Sequence, residues 1–270
     1  MTLEQIRKNW VSKNNDSEAV IAMWDSQADA QCFNQLPSFE DNQFLQLLES
    51  KGLLNSSHDV LDLGCGAAAY SIAIAKSVRN VTGVDISSKM IENGKRRAEE
   101  LEQNNVTLYT ADWNEFSLED SGFNSRFDLV FAHMTPAISN AATLEKMIAA
   151  SKRYCVLCKP TRRKDSVYSE VEKLLGLEQG ISAANDGIIN TFAMLWQLGY
   201  SPEFTYERQV WNSDRNYEQA CQFYINKAKQ RKALTDVDIA NVKDYLKSIE
   251  KNGSISERIT TLVTTVFWEK

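Results

Sequence analysis

The stretch VLDLGCGAAAYS, residues 60–71, begins as an apolar run, passes through Asp62 and Leu63, and then gives Gly64 and Gly66 followed by three alanines. Apolar β-formers bounded by glycine read as a short buried strand. The small residues that follow read as a helix start. Glycine permits a tight strand-to-helix turn and lets a ligand approach bare backbone. Residues 64–69 fit the loose dinucleotide pattern with Ala69 in its last place, which alone is a weak signal. Asp62 discriminates further. A carboxylate there would repel a pyrophosphate and attract an ammonium or sulfonium group. The turn therefore suits a ligand with a positive end.

Outward from this turn the chain alternates. Strands are expected at residues 59–64, 80–87, 105–113, 127–134 and 153–159. Helices are expected at 68–78, at 87–103 with Ser87 or Ser88 as cap, and at 140–152. This alternation predicts a parallel, doubly wound sheet, with every strand's C-terminal end on one ligand-binding edge. The glycine turn, Asp85, Ala111-Asp112-Trp113 and His133-Met134-Thr135-Pro136 all follow strand ends, so all four belong on that edge.

The rest of the chain departs from the simple repeat. Residues 17–36 and 39–54 read as helices, broken at Pro37. Helices are expected at 169–176 and 187–200, strands at 203–211 and 257–270, and a mostly helical stretch between those two strands. Two strands with no crossover between them suggest an antiparallel pair at one sheet edge. The expected fold is α/β: a doubly wound, mostly parallel seven-stranded sheet of Rossmann-like type, with an antiparallel terminal strand and a helical cap. Residues 1–50 would form the N-terminal helical cap, and 51–270 the core with a helical lid insertion at 214–252.

Composition narrows the class. The 270 residues are 43% hydrophobic and 24% charged, with a net charge of −6, which argues against a general nucleic-acid binder. No apolar run reaches the ~18 residues of a membrane span. The first ten residues lack a signal-peptide core, so a cytoplasmic location is expected. Cys32, Cys65, Cys155, Cys158 and Cys221 are scattered. Cys155 and Cys158 form a C-x-x-C, but within a strand, where they read as core rather than as a metal or redox pair.

Asp85 ends the second strand, nineteen residues after Gly66, where a carboxylate can accept both ribose hydroxyls of a nicotinamide or an adenosine cofactor. It also fits a helix cap. Asp112 can accept from an exocyclic amine, and the indole of Trp113 can cover a purine face. A surface acid beside a core indole is the structural alternative for that pair.

In order and spacing, VLDLGCGAAAYS, VTGVDIS, LYTADW and FDLVFAHM resemble the class I S-adenosylmethionine-dependent methyltransferases over residues 58–160. The resemblance implies S-adenosylmethionine as cofactor and a cofactor site of Asp62, Gly64, Cys65, Gly66, Asp85, Ile86, Asp112, Trp113 and His133. Asp62, Gly64 and Gly66 would cradle the methionine end, Asp85 would hold the ribose, and Asp112 and Trp113 would flank the adenine. Ala68 stands where the family often has a third glycine, so a slightly tighter cleft is expected. DNA amino-methylating relatives carry an Asn/Asp-Pro-Pro-aromatic motif after the fourth strand, where this chain has Met134-Thr135-Pro136-Ala137.

His133 is the expected titratable catalytic group, since imidazole ordinarily titrates near neutrality, and Thr135 is expected to orient substrate. Each also has a purely structural reading. Tyr217, Phe223 and Tyr224 would pack the lid, and the basic run Lys159 to Lys164 would meet an acidic substrate or solvent. The expected acceptor is a small molecule. An NAD-type oxidoreductase, a non-catalytic cofactor-binding module and a macromolecular acceptor are the alternatives.

Overall fold

The computed structural model describes residues 1–11, 17–28, 35–177, 183–229 and 231–270. Cys32, and residues 29–34 of the helix expected over 17–36, lie outside these; the described helix ends at Gln27. Seven strands run β1 Asp59–Leu63, β2 Asn80–Asp85, β3 Val106–Thr110, β4 Phe127–His133, β5 Ser151–Asp165, β6 Glu203–Arg215 and β7 Ile255–Glu269. They form one sheet of order β3-β2-β1-β4-β5-β7-β6. The strands from β3 to β5 are parallel, with Asp62 beside Gly83 on one side and beside Phe131 on the other. The order reverses between β1 and β4, which is the switch point where this architecture binds ligands.

The last strands run antiparallel, as expected. The Lys270 backbone N–H donates to Arg153 O at 2.7 Å, and Ser166 N donates to Arg258 O at 3.0 Å, so β7 descends as β5 rises. This pairing explains one difference from the sequence reading. The basic run after Cys158 is not a loop: β5 continues through Pro160 to Asp165, alongside the equally long β7.

The helices among the described residues are α1 Leu3–Asn9, α2 Ser17–Gln27, α3 Gln43–Ser50, α4 Ala69–Ile74, α5 Ser88–Glu100, α6 Leu118–Ser121, α7 Ala141–Ala150, α8 Tyr168–Leu174, α9 Ala183–Gln197, α10 Tyr217–Lys229 and α11 Asp236–Ile249. Local chemistry sets their starts. Ser87 caps α5 by accepting from Met90 N at 3.1 Å. Thr2 with Gln5, and Asn140 with Thr143, form capping boxes.

The chain divides into two compact units. The first comprises Met1–Lys159, Gly187–Thr205 and Thr264–Lys270; the second comprises Pro160–Asp186 and Tyr206–Val263. In the first, Leu61, Leu63, Val130, Ala132 and Leu157 pack against Leu144 and Met147 of α7 and Leu195 of α9. Trp10 and Cys155 are part of this core. The second unit has its own core, in which Tyr168 and Val171 meet Tyr224, Ile225, Val242 and Leu246. Tyr217 packs against that cluster, and Phe223 meets Tyr224 edge-on at 5.1 Å.

Two glycines inside regular elements mark close approaches. A Cβ on Gly83 of β2 would lie 2.6 Å from Leu108 Cδ2 and 2.8 Å from Cys65 Sγ. One on Gly94 of α5 would meet Ala68 Cβ at 3.0 Å. Gly83→Ala is expected to lower stability by about 1–3 kcal/mol through overpacking. A urea midpoint equal to wild type would contradict that packing.

Candidate active site

β1 ends by turning back on its neighbour. Gly64 N and Cys65 N both donate to Val84 O, at 2.7 and 3.2 Å. Gly64, Gly66 and Ala68 have φ of 68°, 54° and 59°, so the turn passes through left-handed backbone three times before α4. Gly64 is required twice. Beyond its φ, a Cβ there would lie 1.9 Å from Thr135 Oγ1. Around Gly66 a Cβ would meet nothing within 4 Å, so that backbone faces open space. Ala68 pays the left-handed cost that glycine would avoid, and its buried methyl closes the turn against α5.

Two carboxyls flank this turn. Asp62 is only 2% exposed and accepts from Ser71 Oγ at 2.7 Å. Burial, with Asp85 nearby, pushes its pKa up to about 7. No cation bonds it among the described residues. Asp85 accepts from Gly66 N at 2.8 Å through one oxygen and from Ser87 N at 2.9 Å through the other. Burial raises its pKa, and those N–H groups oppose the rise. Asp85 therefore ties the glycine turn to the start of α5. α2 reaches the same place: Asp25 accepts from Ser87 Oγ at 2.5 Å, and the half-buried Trp24 packs with Ala28, Ala67 and Met90.

The other expected residues divide. Cys65 is half-buried against Gly83, and Ile86 is half-buried beside Asp85. Asp112 lies half-buried beyond β3 and accepts from Asn114 N at 2.8 Å, closing a local turn. Trp113 differs from the expectation that its ring would cover a purine. Its indole is 3% exposed, stacks on Phe116 at 5.4 Å and donates to Thr143 O of α7 at 3.1 Å. Both faces and the N–H are committed to core packing.

His133 also differs from expectation. It ends β4 between Tyr70, at 4.1 Å between ring centroids, and Phe44, at 4.4 Å. Burial lowers its pKa to about 3, so the ring is neutral at ordinary pH and a poor proton acceptor. Met134 follows at φ 55°, its N–H donating to Cys158 O at 2.9 Å. Thr135 Oγ1 accepts from Ala137 N at 3.1 Å while resting against Gly64.

Sequence reading missed three residues here, Ser71, Tyr70 and Phe44, and it read Lys159 only as the start of a basic run, whereas its amine is buried and donates to Thr135 O at 3.2 Å. Ser71 lies nine residues beyond Asp62 in the diagnostic stretch itself, a spacing that could have found it. Nothing local marks Phe44, because it reaches His133 from the distant α3.

An acid at the end of β1, a glycine turn open to a ligand, and an acid at the end of β2 make a candidate nucleoside-cofactor site on a doubly wound sheet. A family profile described as "Methyltransferase domain" matches residues 54–199. The chain belongs to this family, the class I S-adenosylmethionine-dependent methyltransferases. It is 32% identical over 117 residues to the 23S rRNA (uracil(1939)-C(5))-methyltransferase of Aliivibrio fischeri, 42% of this chain and 26% of that protein. It is 33% identical over 95 residues to the demethylmenaquinone methyltransferase of Staphylococcus aureus, 34% of this chain and 39% of that one. The matched segment thus spans well under half of either relative. The fold is similar to that of the YcgJ protein of Bacillus subtilis, with a TM-score of 0.51, 15% identity and coverage of 82% of this chain and 96% of that one. No helix among the described residues is long and apolar enough to cross a membrane.

The raised pKa of Asp62 has a stability consequence. The folded chain holds its proton up to about pH 7, whereas the unfolded carboxyl releases it near the ordinary 3.8. The stabilisation is complete below the unfolded value and is lost as pH rises through the folded one. In urea titrations without ligand, wild type is expected to weaken relative to Asp62→Asn between about pH 4 and about pH 8. Parallel pH profiles for the two would contradict the buried, proton-holding carboxyl.

Proposed function

We propose that this chain transfers a methyl group from S-adenosylmethionine, held at the glycine turn, to a small-molecule acceptor. The observation that carries the reading is Asp62, a buried carboxyl beside an open glycine turn with no cation among the described residues to neutralise it. An ionised carboxylate in that setting needs a positive partner from outside the chain. The cofactor's ammonium would meet that need, and a pyrophosphate would not. When bound, the cofactor supplies an already activated methyl sulfonium.

The chain's own residues then bind and align. Asp62 would hold the ammonium, with Ser71 fixing its carboxylate. The bare backbone at Gly64 and Gly66 would admit the amino-acid end. Asp85 has lone pairs left after accepting from Gly66 and Ser87, and these would take the ribose hydroxyls. Asp112 would accept from the adenine amine, without help from the Trp113 ring. His133, Tyr70 and Phe44 would form an apolar wall at the acceptor side. With His133 neutral, catalysis would rest on alignment and exclusion of water rather than on an imidazole base.

The acceptors named for the two curated relatives differ in class, one an rRNA uracil and the other a demethylated menaquinone. The net charge of −6 favours an acceptor other than nucleic acid. Radiolabelled methyl transfer from S-adenosylmethionine across small-molecule acceptors and total rRNA tests both. Transfer to rRNA alone would overturn the small-molecule reading.

Asp85→Ala is expected to weaken S-adenosylhomocysteine binding by about 1–3 kcal/mol, measured by calorimetry. Asp85→Asn should fall between it and wild type, since it keeps one acceptor. An unchanged dissociation constant in Asp85→Ala would remove the ribose role.

A further inference from the structure

Lys159 is a cation in an unusual setting. It lies in β5 one residue beyond Cys158, the register partner of His133 at the end of β4. Its residue is only 6% exposed. Its stem passes Gly187 of α9, with 3.7 Å between the lysine carbons and the position a Cβ would take. Its Nζ donates to Thr135 O at 3.2 Å, the one hydrogen bond it makes among the described residues. An ammonium carries three donors, so two N–H remain unspent. No Asp or Glu forms an ion pair with it among the described residues. The absence of a compensating carboxylate also fits its lowered pKa, about 8, which burial sets.

An unpaired, nearly buried cation is destabilising unless something supplies the opposite charge. The position of Lys159 says where that charge would arrive. Thr135, whose carbonyl it holds, rests its own side chain on Gly64 at the candidate cofactor turn. The amine therefore lies against the backbone of the loop that follows β4, the loop that also touches the glycine turn. An aliphatic residue would fill this space without the desolvation cost, which makes a purely structural role a poor account of the charge.

We propose that Lys159 is a specificity-determining residue and that the methyl acceptor is a small molecule bearing a carboxylate or phosphate group, which pairs with its ammonium. This rests on the methyltransferase reading above and names the substrate class for the same site. A charge-assisted hydrogen bond from a buried ammonium discriminates strongly against a neutral isostere, which would leave the cation unpaired. The depth of the amine favours a small ligand over the backbone phosphates of a nucleic acid.

The test uses the full chain, labelled with 15N-lysine and saturated with S-adenosylhomocysteine. Acetate, benzoate and phenyl phosphate are titrated, with acetamide and benzamide as neutral matches and a uridine pentanucleotide as a separate arm. Lys159→Arg assigns the Nζ resonance by difference. At least one small anion is expected to shift the Lys159 signal saturably and to bind about tenfold or more tightly than its amide, the ratio expected of one charge-assisted bond. Lys159→Met is expected to lose that ratio while S-adenosylhomocysteine affinity stays within about twofold. If Lys159→Met does not fold, the anion-to-amide ratio in wild type decides alone.

The proposal is overturned if none of the small anions moves the resonance, if anions and amides bind equally, if folded Lys159→Met keeps the ratio, or if only the pentanucleotide acts. Failure of S-adenosylhomocysteine to bind at all would take the methyltransferase reading down with it. Failure of the anions after it binds removes this inference alone.

Discussion

The site is organised around a carboxyl group that the fold removes from water. Asp62 stands at the end of a buried strand, and its carboxyl accepts from Ser71 on the helix that follows. A medium of low dielectric disfavours its charged form, so its proton is retained to about pH 7. The turn between strand and helix can be this tight because Gly64 and Gly66 adopt left-handed backbone. A buried acid and a bare turn are thus two consequences of one local geometry. Both suit a ligand that brings its own positive charge, as proposed above.

The surrounding contacts hold that geometry in place. Asp85 bonds Gly66 N and Ser87 N, joining the turn to α5. The near-contact between Gly64 and Thr135 joins it to the loop after β4, and Lys159 holds that loop from β5. Four parallel strands therefore converge on a few backbone atoms. Rigid elements position such groups more precisely than loops do, and alignment is most of what a methyl transfer asks of its protein.

Much of the fold was legible because period and punctuation agreed. The strand ending at Leu63, the Ser87 cap and the antiparallel terminal pair all follow from local pattern. What the pattern could not reach was long-range pairing. Residues 160–165 carry Pro160 and a basic run and look like a loop, yet they belong to β5, interrupted only by left-handed backbone at Arg162, because β7 is long enough to accompany them. The site divides the same way. That Asp62, Gly64, Gly66 and Asp85 gather at one turn is readable because their placement comes from strand ends. Trp113 was misjudged because nothing in LYTADW shows that α7 supplies a carbonyl for its indole. His133 was misjudged because its pKa depends on Phe44 and Tyr70, which are distant in sequence.

If an external cation completes Asp62, binding must discharge its proton. Calorimetric titration of S-adenosylhomocysteine at about pH 6, in buffers of different ionisation enthalpy, measures that directly. The account predicts release of about one proton per ligand bound in wild type, and close to none in Asp62→Asn. Tight binding with no proton release in wild type, or equal release in both proteins, would contradict it.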